Sequence, residues 1–466
     1  MSPSNPNTTS QSSEIDLITV LSNQNKEELI KIILDLSEDY PEIEKQLLFK
    51  YTPHKDEISS AKKLISASIN GAKRKGFIDW RHVGPALQGA EFTLQKARHK
   101  VEKGEYESAI LLSLVVMQPV VKMLNFADDS NGSIGDVMNW AIRTIDDVVI
   151  ASLPVLNEKE KKGLFEAIMK EAGKVHYDGW SDWRYALLKI CTYYSPMKDL
   201  RKKLEKQLES LLEKTEASWS DRYEKTQIKL LQLEIIERCD GAAAAGEFIY
   251  KNIKSSEFRE KAIVNELGKG DFKKVIQLCL DGEEADKEYR GLVHKWREYR
   301  YQAYELLGDI EQQKQLASKL LFKGEFTYYI KLKELYTTSE WEGVLKKTVA
   351  EFKKMDYQPS AYLSILQEEK LTDELLIYCQ KNIRTITELY PYIIKDYLEE
   401  VIALFIKYIE NEAKQATDRK KYRKVCSIIK TYKNACGTIQ SHKLIGELRE
   451  KYMRRPAFIE ELGKIR

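Results

Sequence analysis

The chain has 466 residues, 43% of them hydrophobic and 32% charged, and carries a net charge of +3. That length is about three domains' worth, or one long repeat array, and a core of this size needs no disulfide or metal staple. The composition fits a soluble globular protein rich in surface helix, and the near-neutral balance excludes the chain-wide field that announces a nucleic-acid binder.

The first 13 residues, opening MSPSNPNTTSQS, are polar and lack both the basic and the apolar region of a signal peptide. They predict a disordered tail. The stretch NKEELIKIILDL follows. Leu29, Ile32, Ile33 and Leu36 recur there at helical spacing and make one apolar stripe. Asn25 and Glu28 predict a capping box at its start, and Pro41 marks its exit.

In GFIDWR, Phe77, Trp80 and Arg81 stand together. Aromatic residues and arginine dominate binding hot spots, so these three are candidate protein-binding residues. The other reading is a helix entry, with both rings in the core and Asp79 paired to Arg81 or capping. The run AILLSLVVMQPVVKML, from Ala109 to Leu124, is interrupted by Gln118, Pro119 and Lys122 and is too short to span a bilayer. It predicts a buried helix with a kink or break near Pro119.

The segment ADDSNGSIGD resembles a calcium loop. With Gly132 at loop position 6, Asn131, Asp129 and Ile134 fall at positions 5, 3 and 8. Positions 1 and 12, which need carboxylates, then hold Ala127 and Met138. Starting at Asp128 instead puts Ser133 where glycine belongs. A polar connection is expected, with Gly132 at positive φ and Ser133 or Asp136 starting the next helix.

A break is expected near residues 155–160. It separates an N-terminal helical domain, 14–155, from a tetratricopeptide-like repeat domain, 156–466, built as a right-handed stack of helix pairs. Within the latter, GWSDWR places Trp180 and Trp183 three residues apart, on one face if the helix has begun. They too are candidate protein-binding residues, weighed against core packing.

The turns share a pattern: Gly104-Glu105-Tyr106, Gly270-Asp271-Phe272, Gly308-Asp309-Ile310 and Gly324-Glu325-Phe326, with Ser339-Glu340-Trp341 as a variant. Glycine ends one helix, the acid favours the amino end of the next, and the following residue packs back. Phe272, Ile310 and Trp341 lie about 38 and 31 residues apart, against a regular period of about 34. The expected fold is therefore all-α, an irregular tetratricopeptide-like α-solenoid of stacked helical hairpins.

Six cysteines are scattered, with no C-x-x-C pair, and none of six histidines lies in H-E-x-x-H. They predict buried thiols of a reducing, cytoplasmic compartment, and neither a metal nor another cofactor. No phosphate loop, dinucleotide fingerprint or nucleophile elbow occurs, so no catalytic residue is assigned. From Lys414 to Arg466, 15 Lys or Arg face 5 Asp or Glu. Arg419, Lys420, Lys421, Tyr422, Arg423 and Lys424, with Arg454 and Arg455, are candidate phosphate or nucleic-acid contacts. The alternative is a solvated face that balances an acidic remainder.

Four stretches, KRKGFIDWRHVG, DDSNGSIGDV, DGWSDWRYALL and LREKYMRRPAFIEEL, together resemble the helical region that follows the finger in bacterial SWIM zinc-finger proteins. The finger's own C-x-C and C-x-H pairs do not occur in this sequence. The resemblance thus implies a fingerless relative, or a chain from which the finger segment was left out, and brings no zinc with it. The expected function is a non-enzymatic scaffold that binds a partner protein or peptide through a concave face, without a membrane. A nucleic-acid-associated protein using the basic C-terminal helices, and an enzyme with an unrecognised site, are the alternatives.

Overall fold

The computed structural model describes residues 16–51, 56–213 and 219–465; the tail expected at residues 1–13 lies outside them. Among the described residues the regular elements are 25 α-helices and three short 3-10 segments, and β geometry is confined to two isolated bridges. The chain divides into two compact units, one ending at Arg259 and one beginning at Glu260. Both units are all-α and built of stacked helical hairpins, in the irregular tetratricopeptide-like manner that the periodicity predicts.

The first unit opens with α1 (Leu17–Ser22), α2 (Lys26–Asp39) and α3 (Pro41–Tyr51). Next come α4 (Glu57–Ala72), α5 (Val83–Glu102), α6 (Tyr106–Met123), α7 (Ser133–Ser152), α8 (Glu158–Ala172) and α9 (Ser181–Cys191). Then follow α10 (Lys198–Glu213), α11 (Trp219–Cys239), α12 (Gly241–Lys251) and α13 (Ser256–Lys269), the last crossing the division. From α4 to α9 each helix packs on the helix two further on, and all but α7 pack closely on their immediate successor, so α4, α6 and α8 form one layer and α5, α7 and α9 the other.

Local chemistry explains the tight start of this stack. At Gly89 on α5, a Cβ would stand 2.7 Å from the Leu64 carbonyl oxygen and 2.9 Å from Ile65 Cα. Only glycine lets α4 and α5 cross this closely. Beside it Lys96 is buried, donates to the Phe49 carbonyl at 3.0 Å and lies 3.3 Å from Glu57. One apolar core runs from Ile65 to Ile235, through the position near residues 155–160 where the sequence places a break.

α6 is the helix among the described residues that is long and apolar enough to cross a membrane by length and composition. Its Ile110, Leu112, Val116, Met117 and Val120 are fully buried in this unit. It runs on through Pro119 to Met123, where the sequence suggests a kink or break. α2 departs from expectation in the other direction. Its capping box forms, with Glu28 N–H donating to Asn25 Oδ1 at 2.9 Å. Yet Ile32, Ile33 and Leu36 of its apolar stripe are exposed.

The second unit holds α14 (Phe272–Ala285), α15 (Arg290–Leu307), α16 (Ile310–Leu321), α17 (Thr327–Glu334), α18 (Thr338–Lys354) and α19 (Ser360–Glu368). It continues with α20 (Thr372–Lys381), α21 (Ile386–Ile393), α22 (Leu398–Gln415), α23 (Arg419–Cys436), α24 (Thr438–Lys451) and α25 (Pro456–Gly463). The repeated turns behave as read: Gly104, Gly270, Gly308 and Gly324 all take positive φ. Asp271 and Asp309 cap α14 and α16 by accepting the Lys274 and Gln312 amides, each at 3.1 Å. Two details differ. Ile310 is exposed rather than packed back, and Ser339-Glu340-Trp341 lies inside the first turn of α18, where Glu340 accepts the Thr337 amide.

Several tyrosines are part of the core: Tyr301, Tyr329 and Tyr432 are each at most 2% exposed. Tyr329 reaches a polar partner, donating to Glu369 at 2.6 Å, as a buried phenol requires.

Candidate functional site

Three segments singled out in the sequence converge in the first unit. The first is GFIDWR. Lys75 and Gly76 both have positive φ, so Arg74 and Phe77 exchange backbone hydrogen bonds of 2.8 and 3.1 Å around a two-residue turn. This is hairpin chemistry that the helical periodicity conceals. The turn sends Ile78 into the core and leaves Phe77 and Trp80 about half exposed. The helix-entry reading, with both rings buried, is therefore corrected: the aliphatic residue between them is the anchor. Asp79 accepts the Arg81 amide at 2.9 Å and lies 2.7 Å from His82 Nδ1. The His82 contact holds its carboxyl below the ordinary range. The Arg81 guanidinium lies over the Trp80 ring, 5.0 Å from its centroid.

The second segment is the calcium-like loop, and the first is bonded to it. Ile78 N–H donates to the Phe126 carbonyl at 3.0 Å, and Asp128 N–H donates to the Ile78 carbonyl at 2.9 Å. Gly132 takes φ +75°, and α7 begins at Ser133. The side chains of Asp128, Asp129 and Asn131 accept the amides of Ser130, Ile134 and Ser133. The loop's acids thus serve its own backbone as turn and capping acceptors.

The third segment is DGWSDWR. Gly179, at φ +87°, turns the chain so that Trp180 precedes α9 and Trp183 stands in its first turn. Their rings stack, with centroids 6.1 Å apart and planes inclined by 29°. Trp183 Nε1–H donates to Asn139 Oδ1 on α7 at 3.2 Å. Arg184 is buried and holds the preceding connection, donating to the carbonyls of Ala172 and Lys174 and to Asp178. Asp182 accepts the Tyr223 hydroxyl at 2.7 Å; burial and this carboxylate push the phenol up to about 12.

Between α7 and α9 the second and third segments wall a groove of about 830 Å³. Asp136, Asn139 and Arg143 line it from successive turns of α7, opposite the buried residues Val137, Ala141 and Ile145. Leu124, Asp129, Trp180, Asp182 and Trp183 also line it. Three carboxylates against one guanidinium, beside two indoles, suit a cation: an ammonium or guanidinium gains from both the ring faces and the charge. The sequence reading missed Asp136, Asn139 and Arg143 as lining residues. Their signal was their spacing on the polar side of a strongly amphipathic helix.

No family model matches the chain, and no curated protein matches it. Among solved structures, it is similar to a circular tandem repeat protein with novel repeat topology and enhanced subunit contact surfaces. The identity is 14%, over 88% of this chain and 94% of that one, with a TM-score of 0.23. A likeness that slight carries no inference about this chain.

The C-terminal basic residues are mostly engaged within the second unit. Arg419 pairs with Glu460, and both Arg419 and Arg423 lie 3.7 Å from Glu461. Lys424 pairs with Glu412 at 2.7 Å, and Lys421 lies 3.7 Å from Asp418. Arg455 donates to the carbonyls of Ala413 and Ala416, both at 2.9 Å, at the end of α22. Tyr422 is buried and stacked on Phe458, so its ring is not offered to a base. Among the described residues Lys420 and Arg454 have no ion-pair partner.

The second unit also holds a cleft of about 1010 Å³ lined by Glu283, His294, Arg297, Lys323 and Glu325. Its charges largely answer one another. Glu283 pairs with both Arg297 and Arg300 at 2.7 Å, and His294 lies 3.3 Å from Glu325. Burial raises the Glu325 carboxyl, and burial together with Arg297 lowers the Lys323 ammonium. The tryptophan groove differs in leaving the Trp180 ring about half exposed.

Proposed function

We propose that this chain is a non-enzymatic helical-repeat scaffold that receives a cationic segment of a partner protein in the groove between α7 and α9. The observation that carries this reading is the half-exposed Trp180 stacked on the partly buried Trp183 beside Asp129, Asp136 and Asp182. Exposed tryptophans are costly to leave in water and rank among the strongest contributors to interfaces. Phe77, Trp80 and Arg81, bonded through Ile78 to the loop that enters the groove, extend the contact surface. Capture of a peptide in a helical-repeat groove needs no catalytic group, in keeping with a non-enzyme.

We propose as well that the chain is a relative of the helical region of the SWIM zinc-finger proteins. In support, two of its four resembling stretches line this groove and a third is hydrogen-bonded to one of them, which gives the three a shared structural reason to occur together.

Selection from a random peptide library on the full chain tests the first proposal. Peptides rich in Arg or Lys with apolar neighbours are expected, and Trp180→Ala is expected to abolish the enrichment. Acidic consensus peptides, or enrichment unchanged in Trp180→Ala, would count against it.

A further inference from the structure

The opposite layer of the first unit carries a second cleft, of about 580 Å³, between α4, α6 and α8. Its walls are ridges at helical spacing. Ile58, Lys62 and Ser66 come from α4, four residues apart, and Leu114, Gln118 and Lys122 come from α6 in the same step. Lys170 and Lys174 close it from α8 and the residues after it. The three residues that interrupt the apolar run of α6, Gln118, Pro119 and Lys122, all line this cleft. A helix otherwise built for the core is polar here because this strip of it is wet.

The charge is one-sided. Four lysines line the cleft, and Glu171 is the single carboxylate among its lining residues. Glu171 already lies 2.5 Å from Lys174 and accepts the Tyr177 hydroxyl at 3.0 Å. Lys62, Lys122 and Lys170 have no ion-pair partner among the described residues and are exposed. The floor is apolar, formed by Leu111, Leu114, Val115 and Ala167. A cleft of one sign over low-dielectric walls concentrates its field on an anion. The field is felt nearby: burial holds the His176 imidazole below its ordinary range, and Lys174 and Lys122 push the same way against Glu171.

We infer that this cleft binds a small anion with an apolar body, a carboxylate or phosphate head on an alkyl chain. The head meets Lys62, Lys122 and Lys170, and Lys174 bonds Gln118 at 3.2 Å beside it. The chain lies along Leu111, Leu114 and Val115. The volume falls within the range of about 300–1,000 Å³ usual for small-molecule sites. This site is separate from the tryptophan groove, and neither inference depends on the other.

The test is calorimetric titration of the full chain, below aggregation concentrations, with four probes: octanoate, octyl phosphate, 1-octanol and inorganic phosphate. At least one of the two alkyl anions is expected to bind ten-fold or more tightly than either octanol or phosphate, and the tighter one identifies the head. The Lys122→Ala/Lys170→Ala variant should lose at least ten-fold in affinity for it. Lys122→Arg/Lys170→Arg should keep most of it. Circular dichroism confirms that each variant is folded. Octanol binding as tightly as the alkyl anions, no binding of either anion, or an alanine variant that binds like the parent would overturn the inference.

Discussion

The indole N–H of Trp183 donates to the amide oxygen of Asn139 across 3.2 Å, and this bond ties the first turn of α9 to α7. It fixes the orientation of one ring of the stacked pair and leaves the other exposed. Replacing Asn139 with Ala therefore separates recognition from folding. Stability should fall by only about 1 kcal/mol, the usual worth of one such bond. Affinity for a cationic peptide should fall by more than that, because the ring loses its set position. Urea denaturation and fluorescence anisotropy on the same variant measure the two effects.

Arg184 stands one residue further and does a different job. It is buried, and its guanidinium reaches the Ala172 and Lys174 carbonyls and Asp178 at 3.1, 3.0 and 2.6 Å. Arg184→Met should cost about 2–4 kcal/mol, since two carbonyls and a carboxylate lose a charged donor at once. Arg184→Lys should recover less than half, because an ammonium cannot reproduce the planar fork. Chemical denaturation of the full chain provides the measurement.

At the α4–α5 crossing, burial alone would raise the Glu57 carboxyl, but Lys100 and Lys96 overcome it and hold it below the ordinary value of 4.5. A carboxyl lowered by folding contributes stability above its unfolded pKa and loses it as pH falls through the folded one. The melting temperature should thus decline as pH drops below about 4.5. Glu57→Gln should be destabilised at neutral pH by about 3 kcal/mol, since Lys96 then lacks its carboxylate, and should show a shallower acid limb. Calorimetry across pH 3 to 7, roughly the window in which carboxyls titrate, reads both.

The basic C-terminal helices should bind nucleic acid weakly. Of the eight candidate contacts, Lys420 and Arg454 are the cations with neither an ion pair nor a backbone carbonyl partner among the described residues, so these two should contribute no more than about −2 to the log–log salt slope on duplex, at roughly 0.9 per phosphate neutralised. Lys420→Ala/Arg454→Ala should flatten the slope by that much on a salt titration, and a larger loss in Arg419→Ala/Arg423→Ala/Lys424→Ala would mean that the pairs of those residues open to phosphates.

Much of the fold was legible because helical period, glycine caps and acid N-caps are local chemistry. Gly270 and Asp271, or Asn25 and Glu28, carry their geometry in their own side chains. Burial was less legible, because it depends on which neighbour arrives. Leu29, Ile32, Ile33 and Leu36 have a faultless stripe, yet three of the four are exposed on α2. Tyr422, flanked by five basic residues, faces inward onto Phe458. Ile78, rather than Phe77 or Trp80, enters the core because Lys75 and Gly76 make a turn that shifts the facing by one residue. The parts of the groove were visible as GFIDWR, the calcium-like loop and GWSDWR. Their meeting was not, since it rests on bonds between residues far apart in the chain, Ile78 with Phe126 and Asp128 through the backbone and Trp183 with Asn139 through side chains.

The most direct measurement replaces the chain's seven tryptophans with 5-fluorotryptophan and titrates the full protein with a short Arg-containing peptide by fluorine NMR. Single Trp→Phe variants assign the resonances. Trp180 and Trp183 should shift first and farthest, with smaller changes at Trp80 and none at buried Trp296, and Asp136→Asn should weaken the response. Shifts confined to Trp219, Trp296 or Trp341, or no change at saturating peptide, would contradict the assignment of the groove as the binding site.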